Sequence, residues 1–335
     1  MAKRKLTRRQ TWRAEKIQAE RLARAQKKVS AVKANLEGSE LGSEQAGRVI
    51  TRYGAQVDVE DAQGRRHRCL MRQNLPPLVC GDRVVWQAGP DDTGVVVAVS
   101  PRESLLERPD ADNQLKPVAA NINQILVVAA PEPALDVDLI NRYLVAAEMT
   151  GIPPVLIINK IDLLSAKALD KLQQRLQVYT DIGYQVVYAS CKQAHGLDDL
   201  MAHLRDKTSI FVGQSGVGKS SLIQALLPEE ELRVGALSEG SGLGRHTTTA
   251  TRLYHFPAGG ELIDSPGVRA FRLGHASTAQ ISAGFVEFAP YLGQCRFSDC
   301  SHRVEPDCAL QQAVADGHIN AERFESFLRI LDSCE

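Results

Sequence analysis

The 335-residue sequence has no run of 18 apolar residues, so no membrane-spanning helix is expected. Its N-terminus is polar and cationic, with no apolar stretch behind it, unlike a secretory signal. The chain is therefore expected to stay in the cytoplasm. There its seven cysteines would be mostly reduced, which argues against a disulfide framework. Net charge is zero. With 44% hydrophobic and 24% charged residues, the composition excludes a mostly disordered or collagen-like chain. The length exceeds one ordinary core and implies two or three domains.

The zero net charge hides a split. Residues 1–33 carry twelve Lys and Arg against Glu15 and Glu20, a net +10, so residues 34–335 sum to −10. A basic arm on an acidic body reads as a nucleic-acid arm, or more plainly as a solvated tail. Its apolar residues (Leu6, Trp12, Ile17, Leu22, Val29) are too sparse to bury a helix face. Disorder is expected, or a helix formed on RNA. Residues 1–44 are read as arm and linker.

Residues 45–110 have the period of strands. Gly47–Ile50, Ala55–Val59, Arg66–Leu70, Asp82–Trp86 and Gly94–Val99 are short and separated by Gly-bearing turns. Five such strands predict a small closed barrel of the OB type. Its aromatics are few (Tyr53, Trp86), so base stacking would be limited. Arg48, Arg52, Arg65, Arg66, Arg68 and Arg72 can meet phosphates instead, or simply form a charged exterior.

Residues 111–274 alternate buried strands with helices, the pattern of an α/β domain with a mainly parallel sheet. Ile125–Val128, Val155–Ile158, Gln185–Tyr188, Ser209–Val212 and Glu261–Ile263 are its strands. A helix starts near Asp136, and Ser165 caps another. Residues 275–335 read as mainly helical, with Phe324, Phe327, Leu328 and Leu331 on one face of the last helix.

Gly213-Gln214-Ser215-Gly216-Val217-Gly218-Lys219-Ser220 matches G-x-x-x-x-G-K-[ST] between a buried strand and a helix. Such a loop turns backbone N–H groups around phosphates at a helix N-terminus. Lys219 is the expected catalytic contact to the β- and γ-phosphates. Ser220 would hold Mg²⁺, and Ser221 follows in the same first turn. Asn159-Lys160-Ile161-Asp162 sits at the end of a buried strand, where α/β sheets bind ligands. The Asp162 carboxylate can accept from guanine N1–H and the 2-amino group, a donor pair adenine lacks. Asn159 and Lys160 would brace that loop. Ser190, Cys191 and Lys192 lie at another strand end and can offer backbone N–H groups to guanine O6. Asp264 can orient the Mg²⁺ shell, and the Gly267 N–H can touch the γ-phosphate. Between these, Gly240–Thr249 reads as a mobile loop in which Thr247, Thr248 or Thr249 can join Mg²⁺.

Cys295, Cys300, His302 and Cys308 read C-x4-C-x-H-x5-C. Three thiolates and one imidazole fill a tetrahedral Zn²⁺ shell, which makes one structural zinc the expected reading and free thiols the bland one. A segment with little core of its own would draw folding free energy from that ion.

The base-reading elements precede the phosphate loop, the reverse of regulatory GTPases, and the switch segments follow it. That order is a circular permutation. Together with the barrel, Gly244–Thr249 and the Cys/His signature, it makes residues 45–332 resemble the circularly permuted bacterial ribosome-assembly GTPases of the RsgA (YjeQ) family. The resemblance implies GTP hydrolysis stimulated by the small (30S) ribosomal subunit, rRNA binding, a role late in maturation of that subunit, and release coupled to hydrolysis. It also strengthens zinc at the four ligands. Val268 stands where Ras-like proteins carry the water-orienting glutamine, so slow intrinsic hydrolysis is expected. His246 is the best substitute in cis. Nothing demands a dimer, and a monomer is expected. Two readings from other classes are a P-loop ATPase or nucleotide kinase, and an RNA-binding module that senses GTP without hydrolysing it.

Overall fold

The computed structural model describes residues 41–72, 74–109, 114–227, 251–264, 273 and 276–333. They fall into two compact units. One takes the described chain up to Leu78 together with Arg83–Ser100; the other takes Val79–Asp82 and the chain from Pro101 onward.

The first unit holds β1 (Glu44–Tyr53), β2 (Gln56–Glu60), β3 (Arg66–Met71), β4 (Arg83–Ala88) and β5 (Thr93–Val99). Pairing runs β1 to β2, β2 to β3, β3 to β5 in parallel, β5 to β4, and β4 back to β1. The circuit is closed, so this is the OB-like barrel that the spacing of short alternating strands predicts. Alternation turns Val57 and Val59 inward, where they meet Val84, Val96 and Trp86. Glycine makes room for the indole. A Cβ on Gly47 would lie 2.8 Å from the Trp86 ring, and one on Gly94 2.7 Å from it.

The second unit is built on a six-stranded sheet ordered β10–β9–β8–β11–β13–β12. β8 (Gln124–Ala129), β9 (Pro154–Ile158), β10 (Gln185–Tyr188), β11 (Thr208–Val212) and β13 (Glu261–Asp264) are parallel. β12 (Arg252–His255) lies antiparallel beside β13, and β6 (Leu105–Pro109) pairs with β7 (Leu115–Ala120) apart from it. Every residue of β8, β9 and β11 is buried, which explains the apolar runs Ile125–Ala129, Pro154–Ile158 and Ile210–Val212 within them. Helices α1 (Val137–Glu148), α2 (Ala166–Asp181), α3 (Asp198–Leu204) and α4 (Lys219–Leu226) connect the strands. Asp136 caps α1 and Ser165 caps α2, each accepting from a backbone N–H three residues on. The chain runs outward through β8, β9 and β10, then returns to place β11 beside β8. Strand order reverses there, at the crevice where open α/β sheets bind ligands.

Beyond the sheet come α5 (Thr278–Gly284), a 3₁₀ turn (Val286–Phe288), α6 (Ala309–Ala315) and α7 (Ala321–Asp332). This region is mainly helical, as expected, but its core is larger than the sequence reading allowed. Phe285, Phe288, Phe324 and Phe327 pack ring against ring at 4.9–6.3 Å. They join Val145 and Ala146 of α1 in one cluster. Aromatics that are scarce along the chain are concentrated here.

A buried polar network ties α7 to α1 and α2. Asn141 Oδ1 accepts from Tyr179 Oη (2.8 Å) and Arg323 Nη1 (2.7 Å), and Asn141 Nδ2 donates to Ser326 Oγ (2.8 Å). Arg323, 1% exposed, also forks onto Glu287 at 2.7 and 2.9 Å. Burial pushes the Tyr179 phenol up to about 12, which keeps it a donor. Breaking such a pair leaves an uncompensated buried charge, costing about 3–5 kcal/mol.

Candidate nucleotide site and metal centre

Four loops and one strand end gather at the carboxyl ends of the parallel strands. Residues 130–136 follow β8, 159–162 follow β9, 189–192 follow β10, 213–220 follow β11, and Asp264 ends β13. The motifs found in the sequence are thus brought together by topology.

The phosphate loop needs its glycines. Gly213, Gly216 and Gly218 have φ of 140°, 87° and 92°. A Cβ on Gly213 would lie 2.2 Å from Val128 O, and one on Gly218 2.4 Å from Asn159 Nδ2. Gly218 is therefore one point where the 159–162 loop comes close to the phosphate loop. Lys219 Nζ donates to Gly213 O (2.7 Å) and Gln214 O (2.5 Å), lying across the loop it would serve. Gln214, Ser215 and Ser221 are exposed, Val217 is buried, and Ser220 is half-buried in the first turn of α4.

The 159–162 loop is held from three sides. Asn159 is buried; its Nδ2 donates to Val217 O at 2.9 Å, and Oδ1 has no partner among the described residues. A buried acceptor left open fits a ligand-binding loop better than a packing role. Lys160 adopts a left-handed φ of 60° and sends Nζ to Gly216 O (2.7 Å) and Glu132 O (2.9 Å). Asp162 Oδ1 accepts from Ser190 Oγ at 2.5 Å, and Ser190 Oγ accepts from Lys192 N at 3.1 Å. The hydroxyl of one loop thus aims the carboxylate of the other. Cys191 is exposed there; its thiol is pushed up by partial desolvation and by the Asp162 carboxylate.

His246, Gly267, Thr247, Thr248, Thr249 and the basic arm lie outside the described residues. The sequence reading overlooked residues 130–136. Their signal was available, because Ile125–Val128 had been read as a buried strand whose end must face the same crevice. Arginines of the barrel are engaged within it. Arg52 donates to Leu78 O, Arg65 pairs with Asp61, and Arg68 pairs with Asp58 while lying 4.6 Å over the exposed Tyr53 ring.

The four C-terminal ligand candidates converge. One donor atom from each of Cys295, Cys300, His302 and Cys308 lies within 4.8 Å of the others. His302 Nδ1 is 3.6 Å from Cys295 Sγ and 3.4 Å from Cys308 Sγ, and those two sulfurs are 3.9 Å apart. A tetrahedral ion with thiolates at about 2.3 Å and imidazole at about 2.0 Å sets such edges near 3.5–3.8 Å. The cluster can hold a metal ion. Glu305, which the sequence reading passed over, shapes the loop by accepting from the backbone N–H groups of Ser301 (2.9 Å), Arg303 (3.1 Å) and Val304 (3.2 Å). Hydrogen bonds from Ser301, side chain and backbone, chiefly hold its carboxyl well below the usual range.

Residues 99–274 match the family model described as RsgA GTPase. The chain belongs to that family. It is 53% identical to the small ribosomal subunit biogenesis GTPase RsgA of Hahella chejuensis, covering 100% of this chain and 97% of that one. It is 58% identical to the protein of the same name from Chromohalobacter salexigens, covering 99% and 98%. Among solved structures, YjeQ from Thermotoga maritima superposes with a TM-score of 0.70 at 32% identity, over 87% of this chain and 99% of that one. YloQ, described as a circularly permuted GTPase, superposes at 0.69 and 29% identity, over 87% and 95%. Membership in the RsgA GTPase family makes this chain a GTP-hydrolysing enzyme with the permuted fold that the order of motifs implies. Among the described residues no helix is long and apolar enough to cross a membrane.

Proposed function

We propose that this GTPase binds the small ribosomal subunit through its rRNA late in maturation, that the subunit stimulates GTP hydrolysis, and that hydrolysis releases the protein. The observation that carries the nucleotide part is the aimed carboxylate of Asp162, braced by Ser190 beside a phosphate loop. Asp162 reads guanine N1–H and the 2-amino group; Asn159 and Lys160 lock the loop to Val217 and Gly216; Ser190, Cys191 and Lys192 complete the base side. Gly213–Gly218 wrap the phosphates with backbone N–H groups, and Ser221 continues the first turn of the helix. Lys219 leaves its two carbonyl partners to neutralise charge between the β- and γ-phosphates. Ser220 and Asp264 are the residues that would hold Mg²⁺ with the nucleotide, where the ion supplies charge neutralisation. His246 is our candidate for orienting water and Gly267 for a γ-phosphate contact.

Cys295, Cys300, His302 and Cys308 are the residues that would hold one structural Zn²⁺. All four positions of the shell are protein ligands, so such an ion would organise the loop rather than react. We read the protein as a monomer acting in the cytoplasm. The test is GTP turnover by the full chain with and without small ribosomal subunits, with ATP as competitor. Strong stimulation and indifference to ATP are expected. Unchanged turnover with the subunits would remove the ribosomal part and leave the nucleotide site standing.

A further inference from the structure

We infer that the loop 130–136, with Pro133 at its tip, is a third positioning element of the nucleotide site, and that α7 of the C-terminal region sets its place. The inference rests on the nucleotide-site reading above and extends it to residues outside any nucleotide motif. β8 and β11 are the neighbours at which strand order reverses, so the loops that follow them must face each other across the crevice. The contact is visible. Lys160 Nζ spans Glu132 O and Gly216 O, so a single ammonium joins three loops. The Pro133 ring lies over Gly216, its Cδ 3.5 Å from where a Cβ on that glycine would stand. A small cleft lined by Val128, Leu135, Leu139, Gln214 and Val217 separates the loop from the phosphate loop behind it. The two loops therefore meet through Lys160 and Pro133 rather than through a packed core.

The other end of the loop is fixed from afar. Asp136 is the N-cap of α1, and Asp138 in its first turn takes a two-pronged grip from Arg329 of α7, at 2.7 and 2.9 Å. One turn on, Asn141 is held by Ser326 and Arg323 of the same helix. Loop 130–136 thus hangs between the nucleotide loops and a helix of the metal-bearing region. A partner bound at α7 would then change nucleotide affinity through Glu132 and Pro133, and by linkage the nucleotide would change that partner's affinity by the same factor.

Pro133 and Arg329 are both exposed or half-exposed, so their variants should fold. The experiment measures equilibrium affinity of the full chain for fluorescent GDP and GTP analogues, with ADP as control and melting temperature alongside. It uses Pro133→Gly, Arg329→Ala and the double variant. Pro133→Gly should weaken both guanine nucleotides about fivefold, and Arg329→Ala about twofold, the range expected for residues along a coupling route. Steady-state turnover should show KM raised and kcat unchanged. A merely structural role would lower the melting temperature or the binding-competent fraction and leave the dissociation constant alone. In the double variant the Arg329→Ala effect should vanish, since both changes act through one loop. A Pro133→Gly affinity equal to that of the parent, or an Arg329→Ala effect that is additive, overturns the inference while guanine binding by the parent stands. Failure of the parent chain to prefer GDP over ADP would overturn the nucleotide reading and this inference together.

Discussion

The nucleotide site and the Cys/His cluster belong to the same compact unit, yet they are assembled in opposite ways. The first draws Asn159, Ser190, Gly213–Ser220 and Asp264 from the ends of four parallel strands. The second draws all four ligand candidates from one 14-residue stretch, 295–308, that contains no strand and only the N-cap residue of α6. A distributed site inherits its rigidity from the sheet, whose interior strands are wholly buried. The local site has no sheet beneath it; Cys295, Cys300 and Cys308 lean on the aromatic core, and the loop between them depends on its own bonds. Glu305 and the convergent sulfurs are those bonds. The comparison teaches that losing a ligand should act on affinity in the first site and on structure in the second.

The largest effect is expected at the cluster. Cys308→Ser removes one ligand candidate at the N-cap of α6, where the cysteine side chain makes no capping hydrogen bond of its own to lose. Apparent metal-binding free energies in small zinc modules are about 10–16 kcal/mol at neutral pH, so losing a ligand should open the loop outright. The opening should stop at the Phe285/Phe288/Phe327 cluster and the Arg323 network, which hold α5 and α7 without metal. Hydrogen exchange should rise over residues 294–308 and stay slow in α1 and α7. Collapse of protection throughout 276–333 would show that the aromatic core is not self-sufficient, and the contrast between the sites would sharpen further.

The next effect is at Asp162, the carboxylate proposed to read the base. Asp162→Asn replaces an acceptor with an amide whose N–H groups would face the donors of guanine. The buried, unmatched pair should weaken GTP about a thousandfold. Xanthine carries a carbonyl where guanine has its amino group, and should bind the variant better than GTP does. Because the fold of the loop rests on Asn159, Lys160 and the sheet, the melting temperature should hardly move. A large drop in melting temperature with unchanged base preference would make Asp162 a structural residue and erase the difference between the sites.

What could be read from sequence follows the same division. The phosphate loop and the four Cys/His residues were legible because each is a short motif whose spacing is itself the chemistry. The barrel was legible from alternation, and the buried strands from unbroken apolar runs such as Ile125–Val128. Helix starts at Asp136 and Ser165 were legible because capping is local. Contacts between segments far apart in sequence were not. Nothing near Asn141 announces Arg323, 182 residues away, and nothing near Lys160 announces Glu132. The size of the C-terminal core was missed for the same reason, since Val145 and Ala146 complete it from α1.

The smallest expected effect lies on the seam that joins the two regions. The Arg329 guanidinium, hydrogen-bonded to Asp138, holds that carboxyl below its ordinary value near 3.8. A carboxylate whose pKa is lowered by folding adds stability that is complete above its unfolded value. That stability is lost as pH falls through the folded one. Arg329→Ala should therefore cost stability at pH 7, and the cost should shrink as pH falls through the lowered folded-state pKa of Asp138. The pair is half-exposed, with side-chain accessibilities of 48% and 32%, so solvent screening limits the cost at neutral pH to about 0.2–1 kcal/mol. Chemical denaturation of both proteins at pH 7 and pH 3 measures it. A pH-independent difference would mean that Arg329 acts by packing its stem across α1 rather than by charge. In that case salt should leave the difference intact, whereas an ion pair at this exposure should fade in high salt.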